Sequence, residues 1–319
     1  MRKLTTVFLA ILTCITLVSC GLGTSGGFTQ SGRLAGDVSD IDLSGMDVSV
    51  GSKNYTEQII LGKIAIVLLQ SAGAEVHDLT NIPGSTSVRQ AELEGDVDFS
   101  FDYTGTAWVT YLGKTDPIPD EQRQYEAVRD ADAENGLVWL PPAKMNNTYT
   151  LAVKSSVAEK YDLSTLEDIS KLPDKERTYC VEAEFNARSD GFEPMLAAYD
   201  LPSPDSDARF IVDTGAIYAA TADGTCTLGE VFTTDGRIPA LDLVPLSDPR
   251  QFFPKYNMAP VVNDELLEQY PQLRQLLKPI IDDLDNERMQ NLNRQVDVDG
   301  KDYSDVAFDY LQDLGIVKR

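Results

Sequence analysis

The stretch Met46-Asp47-Val48-Ser49-Val50-Gly51-Ser52-Lys53-Asn54-Tyr55-Thr56-Glu57-Gln58-Ile59-Ile60-Leu61-Gly62-Lys63-Ile64-Ala65-Ile66-Val67-Leu68 decides how this chain folds. From Met46 to Val50 apolar and polar residues alternate with the period of a β-strand, and the alternation reads as the edge of a sheet. Gly51-Ser52-Lys53-Asn54 is a turn. Ile60, Ile64, Val67 and Leu68 then recur at helical spacing, with Asn54 or Thr56 as the expected N-cap. Strand, Gly-Ser-Lys loop and helix follow in order. This order aims the free amides of a helix N-terminus at whatever sits in the loop, a setting that suits an anion such as a carboxylate.

A second unit of the same kind follows. Glu75 to Leu79 reads as a strand, and Gly84-Ser85-Thr86-Ser87 opens a helix that runs to Glu94 and stops at Gly95. Val97, Phe99 and Phe101 alternate with Asp96, Asp98 and Ser100 as a further strand. Strands alternating with helices predict an α/β architecture with a mostly parallel sheet. Ligands of such sheets bind beyond the carboxyl ends of the strands, where both Ser52-Lys53-Asn54 and Asp102-Tyr103-Thr104-Gly105-Thr106 fall. Residues 149–255 carry their own strand signals, including Arg177 to Val181 and Ala240 to Val244, and residues 259–319 return to helix. The expected organisation is two lobes: lobe I from 46–147 and 258–319, lobe II from 148–257. The chain crosses between them near Asn147 and Tyr256, with a ligand cleft between the lobes.

The N-terminus has a different character. Arg2 and Lys3 precede an uncharged apolar run from Leu4 to Val18, too short for a membrane span of about 20 residues. Residues 1–19 therefore read as a secretory signal. Leu17-Val18-Ser19-Cys20 resembles a bacterial lipobox, which would make Cys20 an acylated N-terminus anchoring the chain to the membrane; the bland alternative is a cysteine that merely ends a hydrophobic stretch. Residues 20–45 are expected as a flexible tether, because 21–42 are rich in Gly, Ser, Thr and Asp. With Cys14 in the signal and Cys20 at the anchor, Cys180 and Cys226 remain as an even pair in an oxidising compartment. A disulfide is expected there, and two buried thiols are the alternative. The chain carries 27 basic and 51 acidic residues, a net charge of −24. That balance argues against nucleic acid as a partner and against electrostatic docking on anionic lipid.

Several chemistries lack their residues. His77 is the single histidine, and no nucleophile motif surrounds it. A histidine metal site has no support. Gly113-Lys114-Thr115 looks like the tail of a phosphate-binding loop, but Trp108 stands where that loop needs glycine. Asp282-Asp283 and the aspartates from Asp297 to Asp302 lack calcium-loop spacing. No metal and no cofactor is implied. Glu182 and Glu184 alternate along an apparent strand; they are either a solvated face or the paired carboxylates of an exported hydrolase, and the non-enzymatic reading is preferred.

Five segments, taken in order, resemble the glycine betaine/carnitine/choline-binding proteins of osmoprotectant ABC importers. They are Ser52-Lys53-Asn54-Tyr55-Thr56-Glu57-Gln58, Gly84-Ser85-Thr86-Ser87-Val88, Asp102-Tyr103-Thr104-Gly105-Thr106, Phe232-Thr233-Thr234-Asp235-Gly236-Arg237-Ile238 and Phe252-Phe253-Pro254-Lys255-Tyr256. The resemblance implies a two-lobed type II periplasmic-binding fold and a monomeric, extracytoplasmic protein that serves a membrane permease and its ATPase. By motif position it places the family's cation cage on Tyr103, Tyr149, Phe232 and Tyr256. The family's carboxylate partners fall on Lys53, Thr106 and Arg188, with Gln58 as a further candidate and the Asn147 backbone carbonyl beside the cation. For Arg188 a structural ion pair with Asp190 or Glu184 is the competing role. Phe232 departs from the family's usual tyrosine and loses a hydroxyl. A trimethylammonium group has no N–H to donate, so aromatic faces are the side chains that suit it. The implied cargo is glycine betaine or a related quaternary ammonium osmoprotectant, with choline, carnitine or an ectoine-like solute as alternatives.

Overall fold

The computed structural model describes residues 31–116 and 118–319. Two five-stranded sheets form the framework. The first runs β3(Glu75–Ile82), β2(Asp47–Lys53), β4(Phe99–Tyr103), β11(Met258–Asn263), β5(Leu137–Trp139). The second runs β10(Leu243–Pro245), β6(Tyr149–Lys154), β9(Leu228–Phe232), β7(Tyr179–Val181), β8(Arg209–Ile211). In each sheet three strands are parallel, as strand–helix alternation requires. In each, the strand that follows a crossing lies antiparallel to its neighbours: β6 after the first crossing, β11 after the second. At the crossings the two chain segments run side by side. Asn146 and Asn257 form an antiparallel bridge, and the Asn147 N–H donates to the Tyr256 carbonyl at 3.1 Å.

The strand read as a sheet edge is internal. β2 lies between β3 and β4, and Val48 and Val50 are fully buried. The alternation misleads because Ser49 is tolerated inside the sheet: its N–H donates to the Asp98 carboxylate at 2.8 Å, which ties β2 to the segment leading into β4. The helix Thr56–Ser71 that follows is buried on every side from Glu57 to Leu69. A helix apolar all round belongs in a core. It packs between the β2–β3 pair and the helix Tyr303–Asp313. Its N-cap is Tyr55, in extended conformation and without a side-chain cap, rather than Asn54 or Thr56. The Thr56 hydroxyl is committed elsewhere, donating to Asp297 at 2.6 Å.

The expected tether is shorter than 20–45. β1(Arg33–Leu34) pairs with β12(Val317–Lys318), the Gly32 N–H donates to the Ser71 hydroxyl at 3.0 Å, and Leu43 donates from its N–H to Ala72 at 2.7 Å. Ala35, Val38 and Leu43 are buried. These three apolar side chains, set among Gly, Ser and Asp, are enough to fasten the segment to the first lobe. The signal expected over 1–19 and the anchor at Cys20 lie outside the described residues. Among the described residues, no helix is long and apolar enough to cross a membrane.

Cys180 on β7 is joined to Cys226, just before β9, with Cα atoms 5.7 Å apart and a sequence separation of 46. A bridge that closes a loop of this length stabilises by about 2–4 kcal/mol. The Cys180→Ser, Cys226→Ser variant is expected to lose about that much stability in urea titration, with parental ligand affinity retained under native conditions. A midpoint unchanged from the parent would show the bridge to be energetically idle.

Candidate ligand-binding site

A cavity of about 550 Å³ opens between the two sheets, walled by Lys53, Tyr55, Thr106, Tyr149, Glu184 and Phe232 among others. Lys53 ends β2 and Thr106 sits in the turn after β4, both from the first sheet's lobe. Tyr149 begins β6, Phe232 ends β9 and Glu184 lies in the short helix Ala183–Ala187, all from the second.

The rings implied by the family resemblance converge, but not equally on the cavity. The Tyr149 and Phe232 centroids lie 5.1 Å apart, and Tyr149 and Tyr256 lie 5.3 Å apart, edge to face. Tyr103 and Tyr256 are 3% and 1% exposed and stand behind the cavity wall, whereas Phe232 is only half-buried. Gly105 lets Tyr256 approach: a Cβ there would come within 2.6 Å of the tyrosine ring. Burial holds the Tyr103, Tyr149 and Tyr256 hydroxyls well above the ordinary phenol range, so all three rings stay neutral. Tyr218 does not replace the missing hydroxyl at Phe232. It is fully buried beneath the cavity floor, where its oxygen accepts from the Phe232 N–H at 3.0 Å.

The cationic residues of the site already have anionic partners. The Lys53 ammonium lies 2.6 Å from Asp102 and 5.1 Å from the Tyr103 ring centroid. Arg188 grips Asp190 with two parallel bonds of 2.7 Å and reaches Glu184 at 3.3 Å, so the structural ion pair forms with both carboxylates. A fork of this kind is among the stronger charge-assisted contacts. Its guanidinium also lies 5.3 Å from the Tyr149 centroid and 6.0 Å from that of Tyr256, and the Tyr256 hydroxyl donates to Asp190. Gln58 braces the strand end, accepting from the Lys53 N–H at 3.3 Å and donating to the Phe101 carbonyl at 3.0 Å. Asn147 donates from its side chain to Glu57 at 2.9 Å.

Three carboxylates matter more than their sequence signals suggest. Glu57, at the start of the buried helix, accepts from Tyr103 at 2.6 Å, Asn147 at 2.9 Å, Asn293 at 3.0 Å and the Thr234 hydroxyl. Burial raises its pKa while the four donors oppose the rise. Glu184 bridges the cleft. It accepts from the Ser85 N–H at 3.0 Å and the Ser85 hydroxyl at 2.6 Å, and despite burial these bonds, with the charges of Lys53 and Arg188, hold its carboxyl below the ordinary range. Glu182 is not on a strand, contrary to the alternation expected for Glu182 and Glu184. It caps the helix Ala183–Ala187, accepting from the Glu184 N–H at 2.8 Å and the Phe185 N–H at 3.2 Å. The alternation is a by-product of capping. Tyr55, Glu57 and Arg237 also belong to this neighbourhood and were not singled out from the sequence. The only signal was their presence inside the quoted motifs.

Among the described residues, no group of three or more His, Cys, Asp or Glu side chains is arranged to hold a metal ion. A two-lobed α/β protein with an aromatic- and carboxylate-walled cleft between its lobes is a solute-binding protein. The sequence profile for the substrate binding domain of ABC-type glycine betaine transport systems matches residues 46–313, and the chain belongs to that family. It is 36% identical over 272 residues to the glycine-betaine-binding protein of Pseudomonas aeruginosa, covering 83% of this chain and 86% of that one. It is 36% identical over 279 residues to the glycine betaine-binding protein YehZ of Escherichia coli, covering 85% and 92%. A crystal structure described as a glycine betaine/carnitine/choline ABC transporter superposes with a TM-score of 0.70 at 26% identity, covering 84% of this chain and 97% of that one. The family is one of transport proteins rather than enzymes. Substrate-binding proteins of ABC importers act outside the cytoplasm with a membrane permease.

Glu230 on β9 gives the site's lobe a pH dependence. It is 2% exposed, and one carboxyl oxygen accepts from the Glu182 N–H at 2.7 Å while the other has no hydrogen-bond partner. Burial pushes its pKa from 4.5 up to about 8. The folded state therefore keeps this proton after the unfolded chain has released it. The stability Glu230 contributes is fully present below about pH 4.5 and is lost as pH rises through about 8, a change on the order of a few kcal/mol. Glu230→Gln, which cannot release the proton, is expected to melt above the parent at pH 8 and to lose that advantage towards pH 4.5. Parallel melting curves for the two proteins across this range would show that Glu230 ionises normally.

Proposed function

We propose that this protein captures glycine betaine or a related quaternary ammonium osmoprotectant in the cleft between its lobes and delivers it to an ABC permease and its ATPase. The observation that carries this reading is the convergence of Phe232 and Tyr256 on Tyr149, with centroids 5.1 and 5.3 Å from it. A permanent cation without N–H donors is stabilised by such faces and gains little from hydrogen-bond acceptors. Tyr103, Tyr149, Phe232 and Tyr256 form the cation side of the site. Lys53, Thr106 and Arg188 form its polar side, with the Asn147 carbonyl and Gln58 bordering it. The two similar proteins described above as glycine-betaine-binding support the same cargo. The protein acts as a monomer, held on the outside of the cell membrane through a lipid on Cys20.

One observation favours a second reading of the cargo. Lys53 and Arg188 already pair with Asp102, Asp190 and Glu184. A cation lacking a carboxylate, such as choline, needs no exchange of those partners, whereas betaine does.

Titration calorimetry with glycine betaine, choline, carnitine and proline separates these readings. Saturable one-to-one binding of a quaternary ammonium, with proline at least tenfold weaker, is the expected result. Choline tighter than betaine would select the second reading. No heat with any quaternary ammonium would refute the proposed function.

A further inference from the structure

We propose that Tyr55 is a fifth wall of the cation site, set in lobe I, and that with Phe232 it supplies the aromatic faces on which a ligand cation discriminates charge. The inference rests on the reading of the cleft as a quaternary ammonium site. Tyr55 lies outside the four rings placed by motif position. It is the extended residue between β2 and the helix Thr56–Ser71, which carries its side chain towards the opposite lobe. There it stacks on Phe232, with centroids 5.2 Å apart and ring planes within 10°. Both rings line the 550 Å³ cavity.

Competition for ring faces singles out this pair. Tyr103 already has the Lys53 ammonium at 5.1 Å from its centroid; Tyr149 and Tyr256 have the Arg188 guanidinium at 5.3 and 6.0 Å. A π face already engaged by a cation has less to offer a second one, because the two cations repel. Among the described residues no lysine or arginine lies over Tyr55 or Phe232. Arg237, which lines the same cavity, is turned instead onto Tyr218 at 4.2 Å and held by Asp235. Tyr55 and Phe232 therefore carry no protein cation, and they engage aromatic neighbours only. Tyr55 is also held in place. Stacking on Phe232 fixes its ring, and burial keeps its hydroxyl protonated well above the ordinary phenol range. A ring already held by packing costs little entropy when it receives a ligand. The carboxylates of Glu182, Glu184 and Asp213 share the cavity wall and favour a cation there.

The test compares choline with its uncharged carbon isostere, 3,3-dimethylbutan-1-ol, on the purified parent and on Tyr55→Leu and Tyr55→Phe. The alcohol is measured at millimolar concentration in competition with choline. Leucine keeps apolar volume and removes the π face; phenylalanine keeps the face and removes the hydroxyl. Tyr55→Leu is expected to weaken choline roughly thirtyfold and leave the neutral isostere unchanged, while Tyr55→Phe stays near the parent. Choline binding of Tyr55→Leu equal to the parent overturns the proposal. So does an equal loss for both ligands, or a loss in Tyr55→Phe as large as in Tyr55→Leu, since either assigns Tyr55 a packing role. A parent that binds no quaternary ammonium refutes the function proposed above, and the role of Tyr55 falls with it.

Discussion

Much of this structure depends on one buried carboxylate. Glu57 opens the central helix and receives hydrogen bonds from four separate places: Tyr103 at the end of β4, Asn147 in the first crossing, Thr234 after β9, and Asn293 on the helix Asn286–Asp297. A carboxyl taken out of water costs several kcal/mol unless donors replace the water. Here the donors come from both lobes and the connection between them. The helix N-terminus adds its own favourable field. The positions of Tyr103, of the crossing and of the Phe232 loop are therefore set by a shared acceptor, and the walls of the cleft inherit their spacing from it.

Around that hub the site is organised as a competition between cations. Lys53 and Arg188 each sit on aromatic faces and each pair with carboxylates, so the protein supplies its own occupants for most of the cage. On the proposed reading, a ligand cation is selected by the faces free of protein cations and by the carboxylates on the wall, and a ligand carboxylate exchanges with Asp102 or Asp190, where betaine and choline part company. The Ser85–Glu184 bonds across the cleft give the two lobes a contact independent of any ligand.

The two-lobed α/β architecture was legible because strand and helix periods alternate cleanly and the run from Ile59 to Leu69 is apolar apart from Gly62 and Lys63. Other features were not legible, because they are decided by partners far away in sequence. β2 is internal rather than an edge because β3 and β4, from later in the chain, pair with it on both sides. Residues 32–45 are ordered because the chain terminus supplies a strand for β1. Glu182 imitates a strand residue while capping a helix. Among the site residues, the motifs pointed to rings that do converge. The nearby carboxylates already offered Arg188 an ion pair with Asp190 or Glu184, and both form, but nothing local hinted that Tyr55, two residues after Lys53, would reach the opposite lobe. Hydrogen bonding and ring stacking between residues 177 apart in sequence leave no trace in local periodicity.

The account stands or falls on where the cation sits. A crystal structure of the protein soaked with choline or glycine betaine answers that directly. The ammonium group is predicted between the lobes, with its methyl carbons against Phe232, Tyr149 and Tyr55. A quaternary ammonium bound with well-defined density on one lobe alone, or away from these rings, would contradict it.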